Sequence, residues 1–477
     1  MQFNYIANAS LPSSSGRTIA ILDPSDGLPY DKIQRSNAAD IDVAVRAARQ
    51  GFDAVWGKLT ATERGRLLMR LSSKITEHAE ELAAIEQRDC GKPTRQARAD
   101  AQALARYFEF YAGACDKLHG ETIPYQAGYS VLTWHEPHGV TGHIIPWNYP
   151  MQIFGRSVGG ALAGGNVCVV KPAEDACLSL LRVAELAAEV GFPAGVINIV
   201  TGYGHEVGDA LARHPGIDHI SFTGSPSIGT LIQQVAALRH CPVTLELGGK
   251  SPQIVFADAD LDAAIPAIIS GIVQNAGQTC SAGSRLLVEK AIYEPLLARL
   301  GHEFEKLRVG PASMDLDLGP LIRQQQQERV WDFLSDAQVA NIAMVAQGMI
   351  VDEAPQTGFY QAPTLLRDVP ALHRLAQEEI FGPVLIAMPF QDEDHAVELG
   401  NSTPFGLAAG VWTADGGRQF RMAKRLRSGQ VFINNYGAAG GVELPFGGVK
   451  SSGYGREKGL EALYGFTTLK TVAIRHG

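Results

Sequence analysis

Val140-Thr141-Gly142-His143-Ile144-Ile145-Pro146-Trp147-Asn148-Tyr149-Pro150 opens the part of the chain that decides the fold. An apolar run ends at Pro-Trp-Asn, and a helix-like stretch over 151–164 follows it. The alternation then repeats. Apolar runs at Val167–Val170, Val196–Val200 and His219–Phe222 are separated by helix-like stretches at 178–190 and 205–213. Strand and helix in turn predict a parallel sheet with covering helices. Such a sheet binds ligands beyond the carboxyl ends of its strands. Each run here ends in a polar or turn-forming signal: Pro146-Trp147-Asn148, Lys171-Pro172-Ala173-Glu174, Thr201-Gly202-Tyr203-Gly204 and Thr223-Gly224-Ser225.

Upstream, residues 40–118 carry apolar positions at helical spacing, such as Leu67, Leu68, Leu71 and Ile75. Around 124–134 the pattern changes to alternation, with Tyr129, Val131 and Thr133 on one side of a β-ribbon. Thr467–Ile474 is also strand-like, and the two segments together suggest an oligomerisation arm. Downstream, Val243–Leu247 runs into Gly248-Gly249-Lys250-Ser251-Pro252, a break expected to mark a domain boundary. A second α/β stretch reaches about residue 445, with strand-like runs at Leu286–Val288, Val384–Phe390, Gly410–Trp412 and Gln430–Ile433. The Gln324–Gln327 run reads as an exposed helix face.

The 477 residues exceed one ordinary core, so two or three domains are expected. A net charge of −9 without a basic block argues against nucleic acid and anionic membrane as partners. The six cysteines include no C-x-x-C pair and no His/Cys cluster at zinc spacing, so no metal is expected. Reduced thiols in a cytosol fit better than a disulfide framework. Met1 to Ser15 is polar, without the apolar core of a signal peptide. A cytoplasmic protein is the expectation.

Cys280 stands out in Asn275-Ala276-Gly277-Gln278-Thr279-Cys280-Ser281. A small, polar loop delivers one thiol, a candidate nucleophile. Taken alone, the loop fits a buried structural cysteine equally well. Glu246 is an acid inside an apolar strand, where burial would raise its pKa toward that of a general base. An ion pair or an outward-facing side chain is the plainer reading. Asn148 follows a strand end, where an amide can donate to an oxyanion, although turn asparagines are commoner. Phe222-Thr223-Gly224-Ser225-Pro226 reads as strand, turn and helix start, suited to a pyrophosphate. Its spacing is not that of G-x-G-x-x-G.

Together these segments resemble the aldehyde dehydrogenase superfamily over nearly the whole chain. The motifs are Pro-Trp-Asn-aromatic-Pro (146–150), Lys-Pro-Ala-Glu (171–174), Phe-Thr-Gly-Ser (222–225) and Glu-Leu-Gly-Gly-Lys-Ser-Pro (246–252). Gly-Gln-x-Cys (277–280), Glu-Glu-Ile-Phe-Gly-Pro (378–383) and Pro-Phe-Gly-Gly-x-Lys-x-Ser-Gly (445–453) complete the set. The resemblance implies a Rossmann-like parallel-sheet cofactor domain (1–120 and 138–247) and a second α/β catalytic domain (248–446). A small β oligomerisation arm with the C-terminal segment (121–137 and 447–477) would join them in a homodimer or homotetramer.

It also implies roles. Cys280 would attack the aldehyde, Asn148 and the Cys280 N–H would hold the oxyanion, and Glu246 would activate water against the thioester. NAD would be the cofactor, held by Trp147 on the adenine side, Lys171 and Glu174 at the adenosine ribose, and Ser225 at the pyrophosphate. Glu379 and Phe381 would hold the nicotinamide ribose and ring, with Gly204 and Gly248 in the same set. A carboxylate at Glu174 would favour NAD over NADP, because it repels a 2′-phosphate.

Two departures from the family pattern stand at Arg156 and Ser157, where many members have Trp-Lys. Arg156 would face the substrate funnel, beside Tyr149 and Ser281, and suits a carboxylate-bearing semialdehyde or an aromatic aldehyde. A salt bridge within the wall is the alternative. Ser157 replaces the lysine that partners the family's second glutamate, here Glu457, and puts a proton relay through that pair in doubt. A CoA-acylating relative and a non-catalytic member are the competing functions.

Overall fold

The structure, a computed structural model, describes residues 1–476, without the side chain of Ala439. Two sheets organise it. In the first, five strands run parallel in the order Ile197–Ile199, Val167–Pro172, Val140–Ile145, His219–Thr223 and Val243–Glu246. Val167–Pro172 is buried along its whole length, as expected of a parallel strand covered on both faces. The order turns back at Val140–Ile145. The crevice between its carboxyl end and that of His219–Thr223 is therefore the topological switch point, where such sheets receive ligands. Pro146-Trp147-Asn148 and Gly224-Ser225 stand at its two lips.

Both edges of this sheet are antiparallel. Asn4–Ile6 pairs beside Ile197–Ile199, and Gly453–Tyr454 pairs beside Val243–Glu246. The hairpin Thr18–Asp23/Leu28–Gln34 lies apart, over a small core of Ile19, Ile21, Ile33 and Cys177. These N-terminal strands are absent from the sequence reading. They are short, and Asp31 and Pro29 interrupt the alternation.

The helical stretch 40–118 is four helices, Ala38–Ala54, Ala61–Glu77, Ala79–Cys90 and Thr94–Ala114. Asn37 with Asp40, and Thr60 with Glu63, form capping boxes that satisfy the first free N–H groups of the first two. Helix Pro150–Ala163 starts on a proline, which is pre-set for the first turn. It is buried on almost every side and packs against Thr94–Ala114.

The second sheet has the order Met344–Gln347, Thr364–Leu366, Val384–Phe390, Arg285–Glu289, Pro252–Val255, Ala408–Trp412 and Gln430–Ile433. All are parallel except the Met344–Gln347 edge. The Gly248–Ser251 break thus leads directly from the last parallel strand of one sheet into a central strand of the other. A third sheet pairs Thr467–Arg475 with Tyr129–Pro137, from Thr467 opposite Pro137 to Arg475 opposite Tyr129. Helix Gln324–Val339 corrects one expectation. Gln326 and Gln327 are not merely exposed, since their amides donate to the carbonyls of Phe381 (2.7 Å) and Tyr360 (2.8 Å). No described helix is long and apolar enough to cross a membrane.

Candidate active site

Cys280 lies on a loop held under tension. Helix Leu261–Val273 ends in a turn where Asn275 and Ala276 take left-handed φ values of 49° and 52°. Such conformations cost on the order of 1–3 kcal/mol each and persist only where surroundings fix them. Here Asn275 Nδ2 donates to Asn148 O (2.9 Å), and Gln278 Nε2 donates to Asn275 O (3.0 Å). Gln278 Oε1 accepts from Ile322 N (3.0 Å). On either side of the thiol, Thr279 Oγ1 meets Tyr149 OH (2.9 Å) and Ser281 O accepts from Tyr436 OH (2.7 Å). Tyr149 in turn rests over Lys92, 4.2 Å from its ring centroid, and Lys92 is buried between Glu86 and Asp100.

Cys280, Asn148, Tyr149, Arg156 and Ser281 all line one cavity of about 1280 Å³. Asn148 is buried, and one Nδ2 hydrogen goes to Gln278 O (3.0 Å), which leaves the other to donate. The same hydrogen bond ties the amide to the cysteine loop. Burial pushes the Cys280 thiol up to about 11; Arg156 pulls it down, and Glu379 and Glu246 push it further up.

Glu246 closes strand Val243–Glu246 and is 2 % exposed. It stands behind the cavity lining. Neither carboxylate oxygen has a hydrogen-bond partner among the described residues. Burial raises its pKa well above the ordinary carboxylate range, Arg156 opposes the rise, and Glu457 adds to it. A buried carboxylate without a partner is costly. Its retention at a strand end beside a thiol suits a base that takes its proton from water.

Arg156 is placed differently from its expected part. Its Nε lies 2.6 Å from Glu457 Oε2, a charge contact out of line for a hydrogen bond, and both side chains are buried. Nη2 donates to Thr223 Oγ1 (3.2 Å), and the guanidinium stacks over Phe446 at 4.8 Å. Glu457 Oε1 accepts from Ser221 Oγ (2.7 Å). Arg156 thus lines the cavity with its charge already paired inside the wall, the alternative that the sequence left open. It also supplies, one residue earlier, the cation that Ser157 lacks. Ser157 turns its hydroxyl back to Ile153 O (2.9 Å).

The cofactor candidates lie on the loops beyond the carboxyl ends of the first sheet's strands and on the Glu379 loop of the second domain. Lys171 and Glu174 form an ion pair at 2.9 Å beyond strand Val167–Pro172. Burial pushes the Glu174 carboxyl up, but Lys171 more than offsets this and leaves it below its ordinary value. Ser225 caps helix Pro226–Ala237, and Gly204 begins the turn beyond Ile197–Ile199. Glu379 Oε1 accepts from Gly249 N (3.0 Å). A Cβ at Gly248 would stand 2.4 Å from Glu379 Oε2, so a side chain there would displace that carboxylate. The Trp147 and Phe381 rings meet edge to face at 5.4 Å. That contact sets Trp147 beside the ring expected at the nicotinamide. Ionised Glu174, the capped helix start and the glycine-cradled Glu379 could together hold such a cofactor.

The family model described as the aldehyde dehydrogenase family matches residues 11–472. The chain belongs to that family. It is 41% identical over 475 residues to an aldehyde dehydrogenase of Emericella nidulans, which spans 99% of this chain and 95% of that one. A Burkholderia cenocepacia crystal structure, provisionally described as an aldehyde dehydrogenase, has a TM-score of 0.99 at 71% identity over 100% of both chains. An NAD+ complex of an aldehyde dehydrogenase from Bacillus cereus has a TM-score of 0.96 at 38% identity, covering 100% of this chain and 97% of that one. As a member of this aldehyde dehydrogenase family, the enzyme is an oxidoreductase of the aldehyde group.

Several residues around the site escaped the sequence reading. Gln278 and Asn275 fix the cysteine loop, and Lys92 with its two carboxylates props Tyr149. Gln278 and Asn275 stood in the quoted Cys280 motif, so their proximity was available. The Arg156–Glu457 contact joins residues about 300 positions apart and left no local signal.

Proposed function

We propose that the enzyme oxidises an aldehyde to a carboxylic acid with NAD, through covalent capture on Cys280 and hydrolysis assisted by Glu246. The observation that carries this reading is the hydrogen bond of Asn148 to the cysteine loop, which sets an amide donor and a thiol on one cavity wall. Cys280 passes its proton to solvent water, Sγ adds to the carbonyl carbon, and the carbonyl oxygen becomes an alkoxide. The free Asn148 N–H and the Cys280 backbone N–H stabilise that charge, which is worth roughly 3–4 kcal/mol per donor in measured cases. Bound nicotinamide would supply the hydride acceptor that turns the adduct into a thioester. Glu246 then takes a proton from water, the hydroxide adds to the thioester carbon, and Cys280 leaves as the acid forms.

Lys171 and Glu174 would hold the adenosine ribose, Ser225 the pyrophosphate, and Glu379 and Phe381 the nicotinamide end. An ionised Glu174 repels a 2′-phosphate and favours NAD over NADP. The aromatic wall of Tyr149, Phe432, Tyr436 and Phe446 suits an aromatic aldehyde, and the basic groups beside it suit a carboxylate-bearing semialdehyde.

Rapid-mixing kinetics of Glu246→Gln tests the division of labour. With NAD, the variant should give one burst of reduced cofactor per active site. Its steady turnover should then run about 100-fold or more below that of the parent. Undiminished turnover would point to an acceptor other than water, as in a CoA-acylating enzyme. Loss of the burst together with turnover in the variant would remove the proposal.

A further inference from the structure

We propose that Lys458 is the anchor for a negatively charged group at the far end of the substrate, so that the enzyme acts on aldehydes carrying a carboxylate. This rests on the covalent oxidation at Cys280 proposed above and names its substrate class.

The cavity that holds Cys280 is lined by five basic side chains besides histidine, and four of them are already matched. Arg156 pairs with Glu457, Arg299 with Asp262 (2.6 Å), Lys306 with Glu303 (2.7 Å) and Arg95 with Asp315 (3.8 Å). Lys458 has no carboxylate within 4 Å among the described residues. The two acids nearest in the fold are committed elsewhere, Glu457 to Arg156 and Glu443 to Arg106. Lys458 is only 8 % exposed, and its Nζ makes a single hydrogen bond, to Gly440 O at 3.1 Å. An ammonium carries three donors, so two lack a protein partner.

The position is fixed by the backbone. Glu457 N and O exchange hydrogen bonds with Phe446 O and N (2.8 and 2.7 Å), and Gly459 N donates to Val442 O (2.8 Å). Lys458 itself takes a left-handed φ of 62°, uncommon for a residue with a side chain. Its Nζ stands 5.9 Å from the Phe446 ring centroid, beside the Arg156 guanidinium that stacks on the same ring. Burial and Arg156 lower the Lys458 pKa to about 8, and Glu443 partly counters them. A buried cation under such pressure, on the wall of a substrate cavity, is relieved by an incoming anion. A carboxylate accepts both spare donors and restores the charge balance there. An aldehyde held at Cys280 and a carboxylate held at Lys458 define one molecule with an anionic end and a reactive end.

The test compares kcat/KM for matched pairs with NAD: succinic semialdehyde against butanal, and 4-carboxybenzaldehyde against benzaldehyde. The parent enzyme should favour at least one carboxylate member. Lys458→Met should lower that preference about 10- to 100-fold, the range expected for one hydrogen-bonded charge pair, and Lys458→Arg should restore much of it. No preference in the parent, or a ratio unmoved by Lys458→Met, overturns the inference and leaves aldehyde oxidation standing. Failure to oxidise any of the four overturns both. If Lys458→Met does not fold, inhibition of the parent decides: succinate must compete with aldehyde more strongly than butanoate, and equal inhibition overturns the proposal.

Discussion

Burial opposes charge on both side chains proposed to react, Cys280 and Glu246, and Arg156 is a cation that works against it at each. The Cys280 thiol is pushed up to about 11, so near neutral pH it is mostly protonated, and burial raises Glu246 well above a free carboxyl. The reacting forms are the deprotonated ones. Raising the pH therefore populates them, and kcat/KM for an uncharged aldehyde should climb steadily from about pH 6 to about pH 9. A profile that is flat or falling over that range would mean that neither group is the titrating base. At this scale the sequence was informative about chemistry and silent about environment. Cys280, Glu246 and Asn148 were visible as types in suggestive surroundings. Whether Arg156 carried a free or a matched charge depended on Glu457, and the same holds for Lys458 and its missing carboxylate. Such pairings are set by the fold, not by neighbours in the chain.

At the level of elements, the strand bearing Glu246 is bracketed by the 445–453 motif. Gly453–Tyr454 pairs along its edge, and Gly447 faces the carboxylate. Gly447 has φ 155°, and a Cβ added there would stand 2.9 Å from Glu246 Oε1 and 2.6 Å from Gly455 O. Gly447→Ala should therefore displace the base while leaving Cys280 in place. The burst of reduced cofactor should survive and steady turnover should fall about 10- to 100-fold, as misplacement near 1 Å does elsewhere. Equal loss of burst and turnover would show that the loop serves the thiol instead. Parallel strands were easily read because continuous apolar runs separated by helical periods have few alternative interpretations. The antiparallel edges were not. Asn4–Ile6 and Gly453–Tyr454 are two or three residues long and owe their pairing to the sheet they join.

Across the whole molecule, the third sheet projects apolar side chains to solvent. Trp134, Leu469 and Ile474 are each about half exposed (48%, 58% and 48%) on the paired strands. Such a surface on a sheet edge invites a second copy of the chain. Removal of residues 467–477 should reduce the assembly observed by sedimentation, and the parent should sediment above a 51.1 kDa monomer. A parent that sediments as a monomer would dismiss the arm as an assembly device. The alternation at Tyr129–Thr133 made this strand legible in the sequence. Its partner at the far end of the chain was legible too, as a second strand-like stretch that the main sheets could not place, but the return of Gly453–Tyr454 to the first sheet was not.

That return path has a consequence for how the enzyme comes into being on the ribosome. The thiol loop and the strand carrying the base are synthesised little more than halfway along, yet Gly447, Gly453 and Glu457 complete the surroundings of Glu246. A nascent chain holding both of the groups proposed to react thus still lacks the surroundings of Glu246. On the proposed mechanism, Glu246 is placed for its task only after residues 447–457 have been synthesised.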